Sequence, residues 1–407
     1  MQIKPILAAL RRHKAGTVLI AIQIALTLAI VCNALFIIDQ RLAHLSEPTG
    51  IDETNLFVIH NQWAVQSSVT QANAQIQADL AALRQLPGVQ DAAASNSCPL
   101  CGSDTQDDFI MLKPDQLEPT TDAAIYEGDE HQLNTLGLKL VAGRQFRADE
   151  VFTIQQNPPV CIVSKVLADR LFPDGSALGK PIYVMSEKPS TIVGIVDRLQ
   201  RQSAESWERR YAYQSLVWPM RPTGEHGFYY IVRVQPGQLA AAMQQALPAL
   251  YAQSRMRIID SKDGMLSFAD VRRRAYESDR GIAILMGIVS VVLLAITAAG
   301  IVGLTSFWVG QRRKQIGIRR ALGAKQRDIL SYFLTENLLI GLGGVVVGAL
   351  LAIGMNLWMV TQFEMARLSL AYVAIGVLVL LLLGQGAVLA PALRASKVPP
   401  VEATRSV

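Results

Sequence analysis

GIAILMGIVSVVLLAITAAGIVGLTSFWVGQ, residues 281–311, is a run of 31 residues without a charge, closed at its two ends by Arg280 and Arg312. About 20 apolar residues carry a helix across the hydrocarbon core of a bilayer. The run therefore predicts a transmembrane helix with length to spare for tilt. Three more runs stand outward from it: 24 uncharged residues between Lys14 and Asp39, 27 between Glu336 and Glu364, and 26 between Arg367 and Arg394. The chain has 407 residues, 51% hydrophobic and only 17% charged, whereas soluble domains run nearer to a quarter charged. A buried helix of a large soluble protein rarely yields runs this long. The spans are expected at 15–38, 281–309, 337–362 and 368–389.

The first run follows Arg11, Arg12 and Lys14, as a secretory signal does. Signal cores are about 7–15 residues long and end at a small-residue cleavage site. TVLIAIQIALTLAIVCNALFII continues past that length without a clear one, so it is read as an anchor that stays. Before it, Ile3, Ile6, Leu7 and Leu10 fall at helical spacing, with Lys4 and Arg11 off that stripe. Residues 1–14 are thus expected as an amphipathic helix on the inner membrane surface.

Lys and Arg concentrate on the cytoplasmic side of spans. Segments 1–14, 310–336 and 390–407 together carry +11, whereas 39–280 carries −6 and the short connection 363–369 is neutral. Both termini and the 310–336 loop are therefore expected in the cytoplasm, and the 242-residue segment 39–280 outside. The net charge of +5 thereby finds a topological cause, since anionic lipid attracts basic membrane edges. No stripe of basic and aromatic residues suggests nucleic acid.

The outer segment reads as an α+β domain with a βαβ-like unit at each end. The first is NLFVIH (55–60), helical QANAQIQADLAALRQL (71–86) and GVQDAAAS (88–95). The second is YYIVRV (229–234), PGQLAAAMQQALPALYAQ (236–253) and RMRIID (255–260). The two have the pattern to share one sheet. Between them, about 100–220, short strand-like runs (FIML, PVCIVS, PIYVM, TIVGIV, SLVWPM) surround one helix, KVLADRLF. This predicts an inserted β-rich subdomain. DQRLAHLSE after Ile38 and SFADVRRRAYESDR, 267–280, are helix-compatible extensions of the first two spans, expected to rise as a paired stalk.

Residues 311–353, QRRKQIGIRRALGAKQRDILSYFLTENLLIGLGGVVVGALLAI, carry the cytoplasmic loop. An apolar pair, Ile316 and Ile318, brackets Gly317, and a short helix stops at Gly323. Too small for a domain, the loop suits a knob with an exposed apolar ridge that docks into a partner. The plainer alternative is a basic loop that only sets topology.

QIGIRRALGAKQRDIL (315–330) resembles the coupling-helix signature of the FtsX-like permeases, within them the MacB-like branch. APALRASKVPPVEATR (390–405) resembles that family's cytoplasmic tail. LGLKLVAGRQF (136–146), VSKVLADRLFPDGSALGKPIYV (163–184) and STIVGIVDRL (190–199) resemble its β-rich insertion. The likeness covers nearly the whole chain in order. It implies a permease subunit of a mechanotransmission-type ABC transporter for export or efflux. Two permeases, identical or paralogous, would pair and each would seat its coupling helix in an ATPase subunit. A periplasmic adaptor and an outer-membrane exit duct would complete the path from the bacterial inner membrane. By carry-over, Gln315, Ile316, Gly317, Ile318, Arg319, Arg320, Ala321, Leu322, Gly323 and Ala324 contact the ATPase, with Arg319, Arg320 and Arg327 facing its acidic rim. Two other branches share the four-span plan: FtsX-like regulators of wall hydrolases, whose outer domain is typically smaller, and lipoprotein-releasing permeases.

No Walker motif is present. GSALGKP (175–181) is one residue short and lacks the Ser or Thr that Mg²⁺ needs. ATP and Mg²⁺ are thus expected on a separate ATPase polypeptide, with no cofactor on this chain and no enzyme activity of its own. Gly344 and Gly348 form a GxxxG that lets helices approach closely, either within the four spans or between paired permeases. Gln23, Asn33, Asn337, Asn356 and Gln385 lie in or beside spans, but no charge sits at a span centre, which argues against an ion path. Cys98 and Cys101 in CPLC are expected as a local disulfide or two free thiols. Without a second CxxC or a paired His they make no zinc site. The acids Asp107, Asp108, Glu127, Asp129 and Glu130, with His131 beside them, read as a solvated face rather than a metal site.

Overall fold

A computed structural model describes residues 14–65, 68–102, 107–153, 158–184, 186–204, 211–223, 227–363, 367–397 and 399. The expected surface helix at 1–14 and the tail beyond 399 lie outside the described residues, apart from Lys14 at the start of the first helix. The chain divides into a membrane unit, residues 1–46 and 279–407, and an outer unit, residues 47–278.

The described residues of the membrane unit contain four helices long and apolar enough to span a bilayer. α1 is Lys14–Leu45. The outer unit holds α2 (Val69–Arg84), α3 (Gln132–Leu136), α4 (Lys165–Leu171), α5 (Leu239–Gln253) and α6 (Phe268–Ala275). The chain then returns to the membrane unit with α7 (Glu277–Gln311), α8 (Arg313–Ala321), α9 (Gln326–Phe363) and α10 (Leu370–Ser396). α10 passes the expected boundary at 389 and carries Pro391 inside it, buried. The unit's core joins Ile20, Ile24, Leu28 and Cys32 of α1 to Ile301, Ile340, Val345, Ala352, Leu380 and Val388. α7 meets this core along a narrow ridge, Ala283, Ser290, Thr297, Ile301, Thr305 and Trp308, mostly at steps of seven or four. One side of it, with Ile284, Leu285, Ile288, Val291, Val292 and Ile296, is exposed.

In the outer unit, β1 (Leu56–Trp63), β2 (Val89–Ser95), β10 (Phe228–Val234) and β11 (Arg257–Ile258) form a sheet in the order β11-β1-β10-β2, with β12 (Met265–Ser267) also on β1. β10 lies antiparallel between β1 and β2, and β1 antiparallel between β10 and β11. The two βαβ-like halves therefore interleave in one sheet, a ferredoxin-like split βαβ pair. α2 and α5 bury Ile76, Leu80, Leu83, Ala242, Ala246 and Leu250 with Phe57, Ile59, Tyr230 and Val232 of one sheet face.

The insertion is a second sheet of β3 (Asp107–Met111), β4 (Thr121–Gly128), β5 (Leu140–Gly143), β6 (Val160–Ser164), β7 (Pro181–Val184), β8 (Pro189–Val196) and β9 (Ser215–Pro219). Its order is β5-β8-β6-β9-β4-β3-β7, and β7 also pairs with β8. That last pairing closes β8-β6-β9-β4-β3-β7 into a small barrel filled by Ile110, Ile125, Cys161, Val163, Ile182, Ile192, Leu216 and Trp218. β7 takes the first part of the free edge of β8 (189–191) and β5 the last (194–196). The crossing from one to the other needs glycine: Gly143 has φ +78, and a Cβ there would stand 2.2 Å from the Val193 carbonyl.

One expectation changes. The segment 267–280 does not run unbroken into the second span. α6 ends at Ala275, and Tyr276 (φ −104, ψ 13) departs from helix. Its ring is buried, and its hydroxyl accepts a hydrogen bond from Gln200 Nε2 at 2.9 Å. A partner 76 residues away outweighs local helix propensity.

Candidate coupling loop

α7 stops at Gln311, one residue, Arg312, intervenes, and α8 begins at Arg313. The end of α8 is a Schellman cap. Gly323 takes φ +98, its N–H donates to the Arg320 carbonyl (3.1 Å), and the Ala324 N–H donates to the Arg319 carbonyl (3.0 Å). The Lys325 N–H then donates to Asp328 Oδ2 at 2.9 Å, capping α9.

The apolar pair proposed as one ridge is split. Ile316 is buried in the cluster that holds Ile329 and Phe333 of α9, and Gly317 is buried beside it. Ile318 is 46% exposed and Leu322 82% exposed. Helical geometry explains this, since residues two apart face different sides and residues four apart share one. The outward ridge is therefore Ile318 and Leu322, with exposed Gln315, Arg319, Ala321, Gly323 and Arg327 around it. Arg320 is half-buried and turns Nη1 to the Ala324 carbonyl (3.3 Å), and Ala324 is half-buried too. The Arg319 guanidinium lies 5.3 Å from the centre of the Tyr332 ring, a cation–π contact. Sequence reasoning missed the pair beneath: Arg312 Nη1 donates to both oxygens of Glu336 at 3.0 and 2.9 Å. Both charges flank the apolar runs and were read only as their boundaries.

Gly344 and Gly348 face α1. A Cβ on Gly344 would stand 2.8 Å from the Ala21 carbonyl, and one on Gly348 would stand 2.8 Å from the Ala25 carbonyl. Asn33 Nδ2 donates to the carbonyls of Ala29 (2.9 Å) and Ala352 (3.1 Å), tying the same two helices. At the other end of α1, Arg41 and His44 both reach Asp279 of α7, with His44 Nδ1 2.7 Å from Oδ2.

In the outer unit Cys98 and Cys101 are joined as a disulfide. The loop is held by the Leu100 N–H on the Arg201 carbonyl (3.2 Å) and the Gly102 N–H on the Gln202 carbonyl (3.1 Å). No group of three or more His, Cys, Asp or Glu side chains is placed to hold a metal among the described residues.

The acids around Gly128 are not a solvated face. Asp129 is buried, and Arg84 lies near both it and Asp91, with His131 Nδ1 2.9 Å from Asp91 Oδ1. The cause is the junction of β4 with the end of β2, where Ser95 Oγ donates to the Glu127 carbonyl (2.6 Å). Burial pushes the Glu127 carboxyl up to about 7 and raises Asp129 as well. A carboxyl whose folded value lies above its unfolded one stabilises the fold fully at pH below the unfolded value, and that stability is lost as pH rises through the folded value. Unfolding at pH 5 should thus be harder than at pH 8, by up to about 3 kcal/mol for a shift of this size. Thermal melts should show Glu127→Gln removing most of that difference. An equal pH response in wild type and variant would refute the assignment.

Residues 17–250 match the family described as a MacB-like periplasmic core domain, and residues 287–400 match the FtsX-like permease C-terminal family. A macrolide export ATP-binding/permease protein MacB of Chromobacterium violaceum is 29% identical over 275 residues, 66% of this chain. The chain spans 41% of that protein's length. An uncharacterized ABC transporter permease of Bacillus subtilis, YvrN, is 25% identical over 295 residues, 69% of each chain. The periplasmic region of MacB from Actinobacillus actinomycetemcomitans aligns with 57% of this chain and 97% of its own, at 16% identity and a TM-score of 0.34. With one family match covering more than half of the chain and the second taking the C-terminal helices, the chain belongs to the MacB-like, FtsX-like ABC transporter permeases.

Proposed function

We propose that this chain is a non-catalytic permease subunit that couples ATP hydrolysis on a separate ABC ATPase to movement of its outer domain. The observation that carries the proposal is α8: a capped, basic helix between two spans with Ile318 and Leu322 turned outward. Leu322, 82% exposed, shares a face with Ile318 and so forms an outward apolar ridge beside Arg319 and Arg327, and Arg is enriched among the residues that carry interface energy. Its socket would be apolar with an acidic rim facing Arg319 and Arg327. The lysine and arginine asymmetry supports both termini and α8 in the cytoplasm, with residues 47–278 outside the inner membrane. Relatives named for macrolide export support export as the direction of work. We assign two permeases per transporter, and an adaptor and exit duct as the route beyond the outer domain.

The test is purification of the tagged full chain from its native membrane with its subunits identified. Leu322→Asp, or Arg319→Glu with Arg320→Glu, should lower ATPase recovery and transport by about tenfold or more while insertion is unchanged. Gly323→Pro should do the same by destroying the cap, because proline cannot take φ +98 and has no N–H to donate to Arg320. Wild-type ATPase recovery and transport in all three would sink the proposal, as would protease or labelling data that put α8 outside.

A further inference from the structure

Glu336 is a carboxylate with 4% of its side chain exposed, immediately before the uncharged stretch of α9. A buried charge persists where a partner compensates it, and the partner is Arg312, the single residue between α7 and α8. One more contact holds α8 on α9, Arg319 over Tyr332, and Ile316 is buried in the cluster that holds Ile329 and Phe333 of α9 and Val388, Ala392 and Ala395 of α10. α9 in turn is close-packed on α1 through Gly344, Gly348 and the bond from Asn33 to the Ala352 carbonyl. α7 has a looser seam. Beyond its apolar ridge it meets α1 by Thr297 and Thr27, hydroxyls 2.7 Å apart, by Gln23 Nε2 on the Ile296 carbonyl (3.1 Å), and at the far end by Asp279.

We infer that Glu336 is a positioning residue that pins α8 to α9, so that α8, α9 and α1 move as one body while α7 is the compliant member. Force delivered to α8 then travels along α9 and α1, although α8 follows α7 in sequence. The inference rests on the reading of α8 as the ATPase contact.

The experiment uses the full chain in lipid nanodiscs with pairs of spin labels. One pair reads α8 against α9 (Leu322→Cys with Val346→Cys), and the other reads α7 against α9 (Val291→Cys with Val346→Cys). All three sites are exposed. Pulsed electron–electron distance measurement should give a narrower distribution for the first pair than for the second. Glu336→Gln and Arg312→Gln should each broaden the first distribution by about twofold or more and leave the second unchanged, and the two together should do no more than one alone. Additive effects, an unaltered first distribution, or a broader first than second distribution in wild type would overturn the inference. If a single variant fails to insert, the wild-type comparison and the double variant, which leaves no lone buried charge, still decide it. If no ATPase co-purifies with the wild-type chain, the functional proposal fails while the distance result stands.

Discussion

Gly344→Leu is expected to unseat α1 from α9 and abolish recovery of the folded chain, with Gly348→Leu nearly as severe. The two glycines stand one helical turn apart on α9, and each meets backbone rather than a movable side chain: the Ala21 carbonyl at 2.8 Å for one, the Ala25 carbonyl and Cα at 2.8 and 2.9 Å for the other. Lipid tails are as apolar as leucine, so the two helices are held by close contact and not by exclusion of water. A branched side chain at either place must push the helix axes apart, and the Asn33 bond to Ala352 lengthens with them. Overpacking of a tight seam costs about 1–3 kcal/mol, and more where backbone is the obstacle. Gly343→Leu is the control, because a Cβ there meets nothing within 4 Å. Fluorescence-detected gel filtration in detergent with a thermal ramp reads the outcome. Gly344→Leu should lose the monodisperse peak that Gly343→Leu keeps. Equal stability of the two would show that α9 and α1 are not joined by this seam.

The GxxxG illustrates what a sequence can and cannot carry. Small residues at that spacing announce a close approach without naming the neighbour, and a copy of the chain was as good a candidate as α1. Uncharged runs were legible because a bilayer imposes length and polarity on every residue of a span. The two βαβ-like halves were legible too, since strand alternation and the helix stripe of Ile76, Leu80 and Leu83 are local patterns. Closure of the barrel was not, as it depends on β7 pairing with both β3 and β8 through two or three residues each. The same limit hid Arg312–Glu336, 24 residues apart, where each charge alone looks like the end of a span. Ile316 and Ile318 show a finer failure: composition made them a pair, and the turn of the helix put them on different faces.

Asp79→Ala is expected to destabilise the outer domain by about 3–5 kcal/mol, the cost of stranding a buried charge. Arg257 and Asp79 have fully buried side chains, and Arg257 Nη2 reaches the two carboxylate oxygens at 2.9 and 3.0 Å. Two further guanidinium donors go to Asn61 Oδ1 (3.1 Å) and the Ser254 carbonyl (2.8 Å), with the Trp63 ring 5.2 Å away. Tyr230 donates its hydroxyl to Asp79 Oδ2 at 2.5 Å and Gln75 donates to Oδ1 at 3.1 Å. One carboxylate thus ties α2 to β10 and to β11, the last strand of the second half. Without it Arg257 keeps its charge, because a guanidinium does not release its proton in a folded protein. For a domain of 232 residues, 47–278, the loss corresponds to roughly 6–20 °C in melting temperature, read by tryptophan fluorescence of the full chain. Asp79→Leu with Arg257→Met should recover much of it, since removing both charges leaves neither stranded. A single variant that melts within a degree or two of wild type would mean that water reaches Arg257, and the two halves would then be held together by their interleaved strands and apolar packing without help from this ion pair.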